Sequence, residues 1–273
     1  MIKKKVLMLH GYVQSDKIFR AKTGGLRKPL SKLGYDFYFP CGPEHIGQKE
    51  LKADDDTEDI SKKYNTSNTG EDLYGWYKKV GSPTDITGDY EIKPDTIKYL
   101  HDYIVENGPF DGIIGFSQGS GVAGYLLTNF NEILGLTEEE QPEFKFFISF
   151  SGFRLEPERF QDSYNNSKIK TPTLLVKGEL DTLVTEKRSD TLYEACDESS
   201  RTWLVHPGGH FVPSAKPIIS QICNWVQAQG MDGSSSNIDT SLTKTKIETK
   251  ASNSNIPDLD DDLLDMIDSM GKI

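Results

Sequence analysis

The chain has 273 residues, a formal net charge of −11 and a pI near 5.0, enough length for one large α/β domain and permissive of two. That acidity excludes the basic footprint of a nucleic-acid binder and adhesion to anionic lipid. Hydrophobic residues at 36% and charged residues at 27% predict a globular body for most of the length.

The cysteines, Cys41, Cys196 and Cys223, are an odd set with no C-x-x-C spacing. They speak against a disulfide framework or a zinc site and read as small buried hydrophobes. The N-terminal Lys3-Lys-Lys5 is basic, but the apolar run at 6–9 breaks at His10-Gly11, too soon for a signal peptide. No stretch approaches the roughly 18 apolar residues of a membrane span. The expectation is a soluble protein of a reducing compartment, the cytoplasm, with the nucleus also open to it.

Along the chain, short apolar runs alternate with helical periodicity. Residues 6–9 predict a strand, 24–33 a helix ended by Gly34, and 35–39 a strand stopped by Pro40. Residues 42–88 are polar and read as irregular, with an aromatic cluster Tyr74-Gly-Trp76-Tyr77. Ile97, Leu100 and Ile104 carry helical spacing within 92–105. Strands follow at 110–116, 144–150, 173–177 and 202–205, and helices at 118–130, 185–196 and 216–229. Buried runs of this length between helices predict a six-stranded, mostly parallel sheet covered on both faces. Residues 1–229 form the predicted domain. Residues 230–256, rich in Ser, Thr, Asn and Lys, read as a flexible linker.

Gly115-Phe116-Ser117-Gln118-Gly119 fits G-x-S-x-G between a predicted strand and a predicted helix, the setting of a nucleophile elbow. The alternative is a glycine-rich turn with no chemistry. A serine hydroxyl needs a base within hydrogen-bond reach, and an elbow of this kind places an acid and then a histidine later in the chain. His206 and His210 are the only histidines after Ser117. His210 ends a turn able to swing imidazole over the sheet edge, whereas His206 stays near the strand as a packing residue. Asp181 lies on the loop after the strand at 173–177, placed to fix the His210 tautomer; Glu179 and Asp190 are the alternatives. The oxyanion donors are the N–H of Gln118 and of Tyr12, with His10 bracing the Tyr12 loop by hydrogen bonding. Tyr12 and Trp76 are the expected lining of an acyl cleft, with anchoring of the polar segment to the core as the other place for Trp76.

Leu9-His-Gly-Tyr-Val-Gln14, Gly108-Pro-Phe-Asp-Gly-Ile-Ile-Gly-Phe-Ser-Gln-Gly119, Ile148-Ser-Phe-Ser-Gly-Phe153, Gly178-Glu-Leu-Asp181 and His206-Pro-Gly-Gly-His-Phe-Val-Pro213 together resemble the FSH family of fungal serine hydrolases. They are also similar to the animal ovarian-cancer-associated gene 2 esterase. The resemblance covers about residues 4–228 and implies the α/β-hydrolase fold, hydrolysis of a carboxylic ester or thioester, and a Ser117–Asp181–His210 triad. It implies a small-molecule acyl substrate and no metal or organic cofactor. Two positions depart from the family's pattern. Ser120 stands where Ala is common after the elbow, and Tyr74-Gly-Trp-Tyr77 stands where an Arg-x-Trp-Trp-like pattern is frequent.

A serine peptidase using the same atoms is one competing reading. A non-catalytic binding module acting through its tail is another. In the tail, 257–273, Leu259, Leu263, Met266, Ile267 and Met270 share one helical stripe opposite a row of aspartates, which suggests docking on a protein partner or back on the hydrolase domain, or else a disordered solubilising segment.

Overall fold

The computed structural model describes residues 3–47, 72–78 and 89–230. Its strands are β1 (Lys4–Leu9), β2 (Tyr35–Tyr38), β3 (Glu44–Ile46), β4 (Leu73–Gly75), β5 (Gly112–Phe116), β6 (Phe146–Phe150), β7 (Thr173–Gly178) and β8 (Arg201–His206). Six of them pair in the order β2-β1-β5-β6-β7-β8, and every pairing is parallel. The helices are α1 (Asp16–Lys22), α2 (Gly24–Lys32), α3 (Pro94–Asn107), α4 (Gln118–Leu126), α5 (Phe130–Leu134), α6 (Gln161–Asn166), α7 (Glu186–Ala195) and α8 (Lys216–Gln229).

The period of two along each strand divides the core into two layers. Leu7, Leu9, Ile113, Phe147 and Leu175 face one way, against Leu100 and Ile104 of α3, Val122 and Leu126 of α4 and Leu192 of α7. Val6, Met8, Ile114, Ile148, Leu174 and Val176 face the other way, against Phe19 of α1, Leu26 and Leu30 of α2 and Ile222 and Val226 of α8. Apolar side chains on both faces are what a sheet covered by helices on both sides requires. From β1 the chain runs to β2 on one side, then crosses to β5 on the other. A strand order that reverses this way opens a crevice at the carboxyl ends of β1 and β5, the usual place for a ligand in an open α/β sheet.

Several predicted boundaries shift. The helix expected over 118–130 ends at Leu126 and restarts at Phe130, because Thr128 Oγ1 donates to Tyr125 O (2.7 Å) and Asn129 leaves helical geometry (φ −159°, ψ 68°). Such local side-chain bonds compete with helix continuation. The helix expected over 92–105 begins at Pro94, which suits the first helical turn. Helix α1 was not expected. Ser15 accepts from Ile18 N–H to cap it, but seven residues give too little periodicity to read. Residues 42–88, read as irregular, contribute the antiparallel pair β3–β4. Of the cysteines only Cys196 is buried; Cys41 and Cys223 are half-buried, and all three are free thiols. Among the described residues no helix is long and apolar enough to cross a membrane. The predicted linker beyond Gly230 and the striped segment at 257–273 lie outside the described residues.

Candidate active site

Ser117 occupies the turn between β5 and α4 with φ 51° and ψ −116°. A non-glycine residue reaches this conformation only at a cost of about 1–3 kcal/mol, so the surroundings must impose it. They do so through backbone contact. Ser117 N–H donates to Phe150 O (2.9 Å), and Gly121 N–H donates to Ser117 O (3.0 Å). A Cβ on Gly115 would stand 2.6 Å from the backbone of Ser120, and one on Gly119 would overlap the carbonyls of Leu9 and His10. Both glycines of the motif are thus required by the close passage of α4 over β5 and β1. Ser120, the departure from the family's pattern, donates from Oγ to Phe150 O (3.2 Å).

Two further side chains meet above the same carboxyl edge of the sheet. His210 Nδ1 lies 2.8 Å from Asp181 Oδ2, both side chains being almost wholly buried. Asp181 Oδ1 accepts from the N–H groups of Leu183 (3.0 Å) and Val184 (2.8 Å). Burial alone would raise the Asp181 pKa, but the bonds from His210 and Val184 outweigh it and hold the carboxyl below its ordinary value. The imidazole also packs on the ring of Phe116, the residue before Ser117, with centroids 4.9 Å apart. The turn that carries His210 is tied to the loop that carries Asp181, since Glu179 N–H donates to His206 O (2.9 Å) and Leu180 N–H to Gly208 O (3.0 Å).

The alternatives take other places. His206 ends β8, is buried and accepts on Nδ1 from Gly208 N–H (3.2 Å); burial lowers its pKa. Asp190 faces Lys177, with 3.7 Å between the charged atoms, and Glu179 is exposed.

The loop after β1 is held from several directions. Gly11 N–H donates to Gln14 Oε1 (3.0 Å), while His10 Nδ1 meets Gly11 O at 2.7 Å. His10 Nε2 accepts from Gly42 N–H (2.8 Å), which fixes the neutral Nδ1–H tautomer. Full burial pushes the His10 pKa down to about 4, in keeping with a ring that must accept a hydrogen bond.

Gln118 contributes more than its backbone. Its side-chain Oε1 accepts from Trp76 N–H (2.7 Å) and its Nε2 donates to Tyr77 O (2.9 Å). This two-point clamp fastens the segment after β4 to the start of α4, a connection with no signal in the sequence motif.

Trp76 corrects an expectation. It is not a cleft wall: its side chain is 0% exposed, its Nε1 donates to His10 O (2.8 Å), and its ring packs against the His10 imidazole. A large aromatic ring in a polar stretch is satisfied here by the core. Tyr12, partly buried, packs beside Val13, Ile18, Ile46 and Leu73 and lies close over Gly75. Among the described residues, no group of three His, Cys, Asp or Glu side chains is placed to hold a metal ion.

A strained serine elbow at the switch point of a helix-covered parallel sheet defines the α/β-hydrolase fold. The family model described as "Serine hydrolase (FSH1)" matches residues 1–222. The chain is 51% identical over 274 residues to "Family of serine hydrolases 3" of Saccharomyces cerevisiae, covering 99% of each. It is 32% identical over 221 residues to "Esterase OVCA2" of Danio rerio, covering 77% of this chain and 91% of the other. In fold it is similar to the crystal structure of esterase PE8, with a TM-score of 0.54 and 20% identity over 83% of this chain and 92% of that one. The chain belongs to the FSH family of serine hydrolases.

Proposed function

We propose that this serine hydrolase cleaves a carboxylic ester or thioester of a small-to-medium acyl group, with Ser117 as nucleophile, His210 as general base and Asp181 as its partner. The observation that carries the reading is the 2.8 Å contact between His210 Nδ1 and Asp181 Oδ2, on an imidazole packed against the elbow residue Phe116. With Nδ1–H held by the carboxylate, Nε2 is the nitrogen left to take a proton from serine.

Ser117 Oγ attacks the carbonyl carbon as its proton passes to His210 Nε2. The carbonyl oxygen becomes an oxyanion, received by the backbone N–H groups of Tyr12 and Gln118; the latter opens α4, whose dipole favours negative charge there. Collapse breaks the bond to the alcohol or thiol, which leaves with the proton from His210. Water then attacks the acyl-enzyme, giving its proton to His210; a second collapse releases the acid and returns the proton to Ser117 Oγ. The esterase names of relatives such as the Danio rerio protein support an ester as the scissile group.

The test is a matched series in which one acyl group is presented as an oxygen ester, a thioester and an anilide. The expected order is ester and thioester turned over at comparable rates and the anilide slower by about 10³-fold or more, an energy gap of roughly 4 kcal/mol. Preference for the anilide would point to peptide-bond cleavage and overturn the substrate class.

A further inference from the structure

Three non-glycine residues among those described have positive φ: Val13 (58°), Ser117 (51°) and Ser151 (47°). They follow the carboxyl ends of β1, β5 and β6, three strands that are neighbours in the sheet. Strained conformations persist only where the surroundings over-determine them, and they gather at functional sites. Val13 belongs to the loop of Tyr12 and Ser117 is the elbow. Ser151 has no role in the steps above.

Its surroundings give it one. The Phe150–Ser151 peptide unit is a strut across the site. Its carbonyl accepts from Ser117 N–H (2.9 Å) and Ser120 Oγ (3.2 Å), while its N–H donates to Val176 O of β7 (2.8 Å), the strand that leads to Asp181. One rigid plane therefore ties the elbow to the acid's strand. The Ser151 side chain is buried, its backbone is bonded to the strand that ends three residues before Asp181, and its hydroxyl is among the groups that lower the Asp181 pKa. Among the described residues, its Oγ nevertheless meets no hydrogen-bond partner of ordinary geometry. A buried hydroxyl without a partner is costly and calls for an explanation. Catalytic hydrogen bonds that are long in the resting enzyme often tighten in the reacting complex.

Resting on the triad reading above, we infer that Ser151 is a positioning residue of the active site, whose hydroxyl closes onto the Asp181 carboxylate as charge develops on His210. The carboxylate already takes Leu183 and Val184 N–H on Oδ1 and His210 on Oδ2. A further donor shares its charge, so that it orients the imidazolium without drawing the proton from it. The other titratable and charged groups nearby are Glu179 on the same loop, His206 at the end of β8, which feels Asp181 and Glu179, and Arg188 of α7, which donates to Leu183 O (3.2 Å). Burial lowers the His206 pKa, against the charges of Asp181 and Glu179, which raise it.

The experiment measures the pH dependence of kcat/KM with p-nitrophenyl butyrate for wild type, Ser151→Ala, Ser151→Gly, Asp181→Asn and Asp181→Asn/Ser151→Ala. Glycine accepts positive φ without strain, so Ser151→Gly removes the hydroxyl while favouring the fold. Both Ser151 variants are expected to lose about tenfold in kcat with little change in KM, and both acid limbs should move to higher pH. Without the serine donor the carboxylate pulls harder on the His210 proton, which raises the imidazole pKa. The Ala substitution should cost nothing further once Asp181→Asn is present, because the two act through one carboxylate. Wild-type kcat and an unmoved limb in both Ser151 variants would overturn the inference, as would additive losses in the double variant. Should Asp181→Asn itself be fully active, the triad reading fails first, and the two failures are told apart.

Discussion

The Nδ1 of His10 lies 2.7 Å from the carbonyl oxygen of Gly11, and that carbonyl shares one planar trans peptide with the N–H of Tyr12. The two groups of a trans peptide point in opposite directions, so the imidazole, by holding the carbonyl, aims the Tyr12 N–H. His10→Ala should lower kcat by about 10²-fold, the lower range for losing one oxyanion donor, with a smaller change in KM. Steady-state kinetics at pH 8 checks this, and unchanged kcat would remove His10 from support of the proposed oxyanion donor.

His10 also predicts a pH dependence of stability. Its folded-state pKa is lowered to about 4 from an ordinary 6.5, so between those values the unfolded chain binds the extra proton. The contribution is fully present above pH 6.5 and is lost as pH falls toward 4, in total about 3 kcal/mol. His206, also held low by burial, acts in the same direction. Urea unfolding from pH 7 to pH 4 should show a falling free energy, with a shallower fall in His10→Ala. Equal slopes in the two proteins would contradict the depressed pKa.

Trp76 is fully buried and bonded to His10 O. Trp76→Ala should therefore destabilise the fold by about 3–5 kcal/mol, while Trp76→Phe, which removes the indole donor, should cost about 1–3 kcal/mol by leaving a buried carbonyl unpaired. Neither change should alter the ranking of acyl chain lengths. A changed ranking without loss of stability would return Trp76 to the cleft.

The histidines should separate sharply. If the proposed triad holds, His210→Ala is expected to cost about as much activity as losing Ser117, roughly 10⁶-fold, because triad members act as a unit. His206→Ala should keep the chemistry within about tenfold and act on the stability of the turn instead, by freeing Gly208 N–H. The reverse ranking would exchange their roles.

How far these features could be read in advance follows their range along the chain. The elbow was legible because Gly115, Ser117 and Gly119 are demanded by one strand–turn–helix unit. The strands were legible from apolar runs, and so was the carboxyl edge at which the site would stand. The bonds that hold the site were not. His10 is braced by Gly42, 32 residues on, and the elbow amide is held by Phe150 O, from a strand whose letters reveal only burial. The Gln118 clamp on Trp76 and Tyr77 spans 42 and 41 residues. Trp76 itself shows the limit of composition: an aromatic in a polar stretch signals an apolar environment, and whether that is a cleft or the core depends on packing from elsewhere.

The most direct test of the central claim, that Ser117 is the nucleophile, is to treat the protein with a fluorophosphonate and locate the adduct by peptide mass spectrometry. The phosphonyl group should be found on the peptide containing Ser117, and Ser117→Ala should show no labelling while hydrolysing esters about 10⁶-fold more slowly. An adduct on another residue, or equal labelling of wild type and Ser117→Ala, would contradict the assignment.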